Sequence, residues 1–583
     1  MSGLRFKHPG HPAYNRPVKA STSAGRDARF FRRQALTALL LLVFPYLLLI
    51  VLAPRGMTYT GVVFNPNDTF LYYAQMARGQ QGAWLFSDYF TYLPAPPLLA
   101  YTLYSLLGHL VPAQTGALGL EAGYHLARLA LAAAFARQAW KLYGEAAPSR
   151  VVRRVGFLFL LFTSGAGLFQ LLVPPFRGSE PPFDLLITES STFAGLAFSP
   201  HFAAVLLGLV VYMRALLALP RRGGWAAART ALAGAAAALL VTSIHPDKAA
   251  VMGLGTVAFL AWALWARRAG WSSAIAGCAM LAPSIPYVLY SFILTGSDPQ
   301  IRSLMAQGLP HESVPDPLQY YAFGFGLPLV FALANLPSLV LRRRSPAPGE
   351  VLMWAFVAAG MVVVLLPFRN VGHRAEGLQV ALALLAGRGA MLVVLPRLWR
   401  TAGFHGFAAR RPLGYSRRRL RLLTVNLAVI LSSTSVLALA FASPRAVLAG
   451  SPEAYASADD LAATAWLRQH AGRNDVAVGE GTSDQFLAAF GSVRAAWGSF
   501  SYTPDYDREG QRLALFYLGR TDPEAYLSER GIRWVYFGPR ERRFARINPE
   551  SLAFLRRAYT SGTTTIYEVT SAQALAPEAS QRR

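Results

Sequence analysis

The run Ala35-Leu-Thr-Ala-Leu-Leu-Leu-Leu-Val-Phe-Pro-Tyr-Leu-Leu-Leu-Ile-Val-Leu-Ala53 decides the fold class. It holds no charge and is about as long as a helix needs to cross roughly 30 Å of hydrocarbon. It is too long for a cleaved signal and no small-residue cleavage site follows it, so it is expected to remain as an anchor. Similar runs recur along the 583 residues, which are 54% hydrophobic and only 15% charged. A soluble chain carries about a quarter charged residues. The chain reads as a polytopic α-helical membrane protein.

Eleven spans are expected, at 35–53, 119–141, 154–173, 195–217, 228–245, 248–266, 271–294, 318–341, 350–367, 376–396 and 420–443. The net charge of +26 is not a nucleic-acid signature, because the basic residues cluster in short loops between apolar runs. One set of loops collects Arg26, Arg29, Arg32, Arg33, Arg150, Arg153, Arg154, Arg221, Arg222, Arg267, Arg268 and Arg417 to Arg419, while the alternate loops hold few. The positive-inside rule then puts the N-terminus in the cytoplasm. The apolar run 94–111 would invert every later loop if it crossed the membrane. It begins with three prolines in four residues, and is expected to be a re-entrant or surface-lying helix. Cys278, the one cysteine, falls in an apolar run and reads as a small core residue.

The chain divides into a basic cytoplasmic tail (1–34), a transmembrane domain (35–443) with its first outer loop at 54–118, and a C-terminal domain (444–583). In the last part the pattern changes. Helices are expected at 457–470, 482–490, 508–519 and 523–530, and strands at 475–479, 532–537 and 564–569, with 575–583 frayed. This alternation suggests a small α/β domain, which an odd number of spans places outside the cell.

Polar groups gather at the outer ends of the spans, and charge at membrane depth is costly unless it is paired or functional. The stretch Asn65-Pro-Asn-Asp-Thr-Phe-Leu-Tyr-Tyr-Ala-Gln-Met-Ala-Arg-Gly79 places Asp68 at the start of an aromatic helix. At about 100° per residue, Asp68, Tyr72, Gln75 and Gly79 share one face, and Phe70, Tyr73 and Ala77 the other. The aromatic face is expected on the lipid headgroups. Asp68 is either the helix N-cap ahead of Thr69 or a catalytic acid or base, and the two are compatible. Asp88 is a turn former or a ligand, and His201, after Pro200, a hydrogen-bonded core residue or a ligand. Lys248, in His245-Pro-Asp-Lys248, either reaches the headgroups or binds phosphate. Arg369 and Arg374 either pair with Glu376 or bind a phosphate in bidentate fashion. No metal-ligand spacing and no glycine-rich phosphate loop is present.

The acid before an aromatic helix (Asn67-Asp68-Thr-Phe-Leu-Tyr72), the segment Gly82-Ala-Trp84, the Pro96-Pro97-led helix and the region Arg369 to Glu376 together resemble the GT-C superfamily of integral-membrane glycosyltransferases. The tail, with Trp466-Leu-Arg, Asp475-Val-Ala-Val478, Gly531-Ile-Arg-Trp-Val-Tyr536 and Ile566-Tyr-Glu-Val569, is similar to the extracytoplasmic domain of many bacterial members. The chain departs from the protein mannosyltransferases, which carry Asp-Glu where it has Asn67-Asp68. The resemblance implies a plasma-membrane enzyme that takes a sugar from a polyprenyl phosphate and passes it to a hydroxyl on an extracytoplasmic glycan, lipid or protein. It further implies inversion, Asp68 as base, and substrate contacts from Tyr72, Asp88, His201, His245, Lys248, Arg369, His373 and Arg374. A divalent cation, Mg or Mn, is left open as a cofactor. Two rival readings are a lipid-linked glycan flippase, which would carry inverted halves with broken helices near the midplane, and a non-catalytic envelope-assembly protein of the same fold.

Overall fold

The computed structural model describes residues 20–174, 182–308, 317–337, 346–366, 373–410 and 416–570. Arg369, the side chain of His373 and the stretch 575–583 lie outside them. Among the described residues, seven helices are long and apolar enough to cross a membrane, or eight if the bent pair Arg417–Leu431 and Thr434–Leu448 forms one span. The first helix starts at Ala20, well before its apolar run. Asp27 on this extension accepts from Arg153 and Arg154, the latter at 2.6 Å, which anchors its foot to the helix Arg150–Phe162. Cys278 is exposed on the bundle surface, not in the core.

Three of the expected spans are not continuous. The span at 154–173 breaks after Phe162 and resumes as Gly167–Leu172. The span from 318 carries Gly326 in a non-helical conformation (φ 49°, ψ −139°), and the last span bends by 48° between its halves. The breaks meet one another. Ala166 N donates to Phe323 O at 2.7 Å and Ser164 N to Ser432 O at 2.9 Å. A Cβ on Gly165 would lie 2.3 Å from the carbonyl oxygens of Phe323 and Gly324. Backbone groups released by the breaks are thus satisfied by protein, the condition for irregular chain at membrane depth. Asp184, fully buried, accepts there from Gly167 N at 3.3 Å and Ser164 Oγ at 3.4 Å.

Between the first span and the helix Gly116–Ala146 lies a compact segment built on the helix Pro66–Gln80. The helix Thr102–Leu110 packs across it. Its nine residues give a length of about 14 Å, too short to span. Gly79 and Gly108 form the crossing, where a Cβ on Gly108 would stand 2.1 Å from Met76 O and 2.9 Å from Gly79 Cα. Gly108→Ala is therefore expected to destabilise the fold by about 1–3 kcal/mol through overpacking, read as a lower thermal midpoint in lipid nanodiscs; an unchanged midpoint would disprove the close packing.

The C-terminal part forms a five-stranded sheet in the order β4-β3-β5-β7-β6, comprising β3 (Val476–Val478), β4 (Arg494–Ala495), β5 (Ile532–Phe537), β6 (Leu555–Ser561) and β7 (Thr564–Val569). β3 is parallel to β4 and β5, and β7 is antiparallel to β5 and β6. A two-stranded ribbon joins β1 (Met57–Tyr59) to β2 (Tyr455–Ser457), tying the exit of the first helix to the start of this part.

The aromatic face of the Pro66–Gln80 helix does not rest on headgroups. Phe70 and Tyr73 are fully buried, with Phe70 against Phe486 and Phe490, and Tyr73 stacked on Phe490. Phe486 belongs to the helix Gly481–Ala489, whose own apolar side would otherwise face water. Polar contacts hold both ends of the helix to the C-terminal part. Gln485 Nε2 donates to Asn67 Oδ1 at 2.6 Å, and Arg78 Nη2 to Arg473 O at 2.6 Å.

Candidate functional site

The position of Asp68 is set by the three residues before it. Asn65 adopts a left-handed conformation (φ 34°), its side chain accepts from Asp68 N, and Pro66 takes the first helical position. Proline suits that position because its missing N–H would be unpaired there in any case. The N-cap is thus Asn65 and not Asp68, which sits in the first turn. Asn65 Nδ2 donates to Asp68 Oδ2 at 2.7 Å, and the side chain stays partly exposed.

From Asp68 a continuous strip of groups crosses the face of the bundle. Tyr72, one turn on, stacks on Tyr104 (4.2 Å, 6°) and meets the edge of His201 at 5.2 Å. His201 Nδ1 shares hydrogen bonds with Tyr104 Oη at 2.7 Å and Ser199 Oγ at 2.6 Å. Its ring lies 5.4 Å from that of His245. His245 ends the helix Gly224–Ile244, and after Pro246 and Asp247 the next helix opens with Lys248. Lys248 is buried, with Nζ 2.8 Å from Asp247 Oδ2. Arg374, in the turn His373–Ala375, donates to Leu366 O at 3.4 Å and stands within electrostatic reach of Asp247. Glu376 turns to His245 Nδ1 at 2.5 Å, in place of the arginine pairing that the sequence offered. The chain reversal at Pro246 brings His245 to that carboxylate.

Beside the strip is a cavity of about 620 Å³. Its walls come from the first loop (Phe86, Asp88, Tyr101), the helix Pro299–Gly308 (Ile301, Leu304) and the C-terminal part (Phe500, Tyr502), with Pro246, next to His245, also in the lining. Gln307 latches this helix to the C-terminal part, donating to Phe500 O at 2.5 Å and Thr503 O at 3.2 Å. The hydroxyls of Tyr101 and Tyr502 are bonded to each other. Burial, with the Asp68 charge adding to it, pushes both phenols up and keeps them protonated. Asp88 is buried, with Oδ1 accepting from Phe90 N at 2.9 Å and Oδ2 unpartnered. Burial pushes its carboxyl up to about 7, against smaller opposing effects of the Phe90 N–H and the Arg494 charge.

Asp68, Tyr72, His201, His245, Lys248 and Arg374 thus lie along one strip and Asp88 in the adjoining cavity, while Arg369 and the His373 side chain fall outside the described residues. Tyr101 and Tyr104 were open to sequence reading, as polar-tipped residues three apart in an apolar run. Phe500 and Tyr502 were not, because they arrive from about 400 residues away in a loop with no periodicity. Among the described residues no three His, Cys, Asp or Glu side chains converge to hold a metal, so Mg or Mn has no protein-built cage there.

No family model matches the sequence, and no curated protein is similar to it. Solved structures are. ArnT from Cupriavidus metallidurans, bound to undecaprenyl phosphate, is similar with a TM-score of 0.50 at 14% identity, over 96% of this chain and all of that one. The apo form of the same protein gives a TM-score of 0.49 at 13% identity, over 95% and 100% of the two chains. The Archaeoglobus fulgidus oligosaccharyltransferase tethered to an acceptor peptide gives 0.49 at 14%, over 87% of this chain and 69% of that one. At such identities the likeness is one of fold, and a fold of this kind is what the GT-C resemblance implied.

Proposed function

We propose that the chain is a membrane glycosyltransferase that moves a sugar from a polyprenyl-phosphate donor to a hydroxyl of an extracytoplasmic acceptor, inverting the anomeric carbon. The observation that supports this most is the strip itself. It has a partly exposed carboxylate, Asp68, at one end, cations at Lys248 and Arg374 at the other, and an open cavity alongside.

In this reading the donor phosphate lies at the cationic end. The acceptor oxygen attacks C1 as Asp68 takes its proton. The bond from C1 to the phosphate oxygen breaks, and its electron pair leaves with the phosphate. Lys248 and Arg374, with Arg369 and His373 from the same stretch of sequence, neutralise the charge that builds there. A phosphate leaving group needs little protonation, so one carboxylate suffices where a glycoside hydrolase uses two. Tyr72, His201 and His245 line the path between the ends and hold sugar hydroxyls. In this reading, and in keeping with the loop charges, this face and the C-terminal domain (444–583) lie outside the membrane. The lipid tail runs between spans.

The test is transfer of labelled sugar from a panel of undecaprenyl-phosphate monosaccharides in proteoliposomes. Lys248→Met is expected to lower the rate about 10²–10³-fold, the usual effect of removing one charge-stabilising donor. A flippase reading has one observation in its favour, the three helix breaks that meet near Asp184. Movement of the glycolipid across the bilayer with no transfer would establish that reading and overturn ours.

A further inference from the structure

The charges around the strip are segregated. Lys248 and Arg374 stand at its far end, whereas among the described residues no lysine or arginine lines the 620 Å³ cavity. Its lining includes four aromatic residues, Phe86, Tyr101, Phe500 and Tyr502, and two acidic ones, Asp88 and Asp298. An anionic occupant would meet apolar walls and two acids, and would lose solvation without gaining a counter-charge. An occupant made of C–H faces and hydroxyls is served by both kinds of wall. Its flat faces stack on the rings, and its O–H groups find acceptors in carboxyl and backbone oxygens. The volume suits a few sugar rings and is typical of a small-molecule site. Tyr101 and Tyr502 in its lining are close enough to Asp68 for its charge to act on both phenols, and Pro246, next to His245, lines it too.

From this we infer that the chamber is the acceptor subsite and that the acceptor is an uncharged carbohydrate chain, neither a phosphorylated lipid nor a peptide. The inference rests on the glycosyltransferase reading for the word acceptor, and on the lining alone for the chemistry of the occupant. Asp68 then meets a hydroxyl presented from the chamber, while the donor phosphate stays at the cationic end. Specificity for the acceptor resides in the helix Pro299–Gly308 and the loop around Phe500, two segments that Gln307 joins.

The experiment is saturation-transfer NMR on the full chain in lipid nanodiscs. The probes are a mixture of neutral hexasaccharides of α-glucan, β-glucan and mannan type, a glucosamine hexamer as cation, a hexuronate hexamer as anion, and a lysine-free hexapeptide. Saturation is expected on a neutral hexasaccharide and at least tenfold less on the others. It should vanish both in Phe500→Ala and in Leu304→Trp, which fills the chamber instead of emptying a wall. Both variants should retain binding of undecaprenyl phosphate, which also reports that they are folded. Saturation confined to a charged probe or the peptide, none on any neutral probe, or a neutral signal indifferent to Leu304→Trp would each overturn the inference. Donor turnover measured in the same preparation separates the two readings. A wild-type chain that binds neutral glycan but never consumes donor would refute the transferase and leave the chamber chemistry standing.

Discussion

Asp68→Asn is expected to lower sugar transfer in proteoliposomes by about 10²–10⁴-fold, the range that a positioned general base supplies. The substitution is nearly isosteric, and the helix it sits in is capped by Asn65, so the fold has little reason to change. An amide at that position still accepts the hydrogen bond from Asn65 Nδ2 but cannot take a proton from an acceptor hydroxyl. In the proposed reading the donor's phosphate binds at the far end of the strip, so affinity for undecaprenyl phosphate should stay within about threefold while turnover collapses. That split between binding and rate distinguishes a base from a structural acid. A rate within tenfold of wild type, with the thermal midpoint unchanged, would remove Asp68 from the mechanism.

Asp88→Asn is expected to stabilise the protein, and only at neutral to alkaline pH. The Asp88 carboxyl is raised by burial to about 7 in the folded chain, against 3.8 for the free group. Below about pH 4 it is neutral in both states and contributes nothing. As the pH rises toward 7 the unfolded chain ionises first, so the folded state loses stability by about 1.4 kcal/mol per pH unit, about 4 kcal/mol in all. Above 7 the loss is complete and constant. Asparagine never ionises and can still accept from Phe90 N. The variant should therefore match wild type near pH 4 and melt higher at pH 8. Identical midpoints at both pH values would show that no charge is buried there.

The outcomes at particular residues explain what a single sequence can convey. Helix Ala458–His470 was legible because Ser457 and Asp460 form a capping box, a local signal written in neighbouring residues. β5 and β7 were legible as β-branched and aromatic runs, whereas β6 was not, since Arg556 and Arg557 open it with exposed charges on a sheet edge. β4 is two residues long and exists only because β3 lies beside it. The breaks at Gly165 and Gly326 escaped because hydropathy measures composition and not continuity, and each is set by the backbone of another helix. At the candidate site, charge placement singled out Asp68, Lys248 and Arg374, which lie along one strip. The pairing of Glu376 with His245 and the tyrosine and phenylalanine walls of the chamber depend on contacts between distant segments, which no local pattern encodes.

The ribbon between Met57–Tyr59 and Tyr455–Ser457 bears on how the molecule can be taken apart. Residues nearly 400 apart share its hydrogen bonds, and the same two regions share the Phe70–Phe486 and Asn67–Gln485 contacts. The soluble quarter of the chain is consequently not a module in the thermodynamic sense. Cut away, it would lose the ribbon partner and bare the aromatic seat of the first loop, while the remaining bundle would keep its acid but lose the wall against which Phe70 and Tyr73 pack. The two portions are therefore expected to unfold together, and the boundary that composition draws near residue 444 is not a seam in the packing.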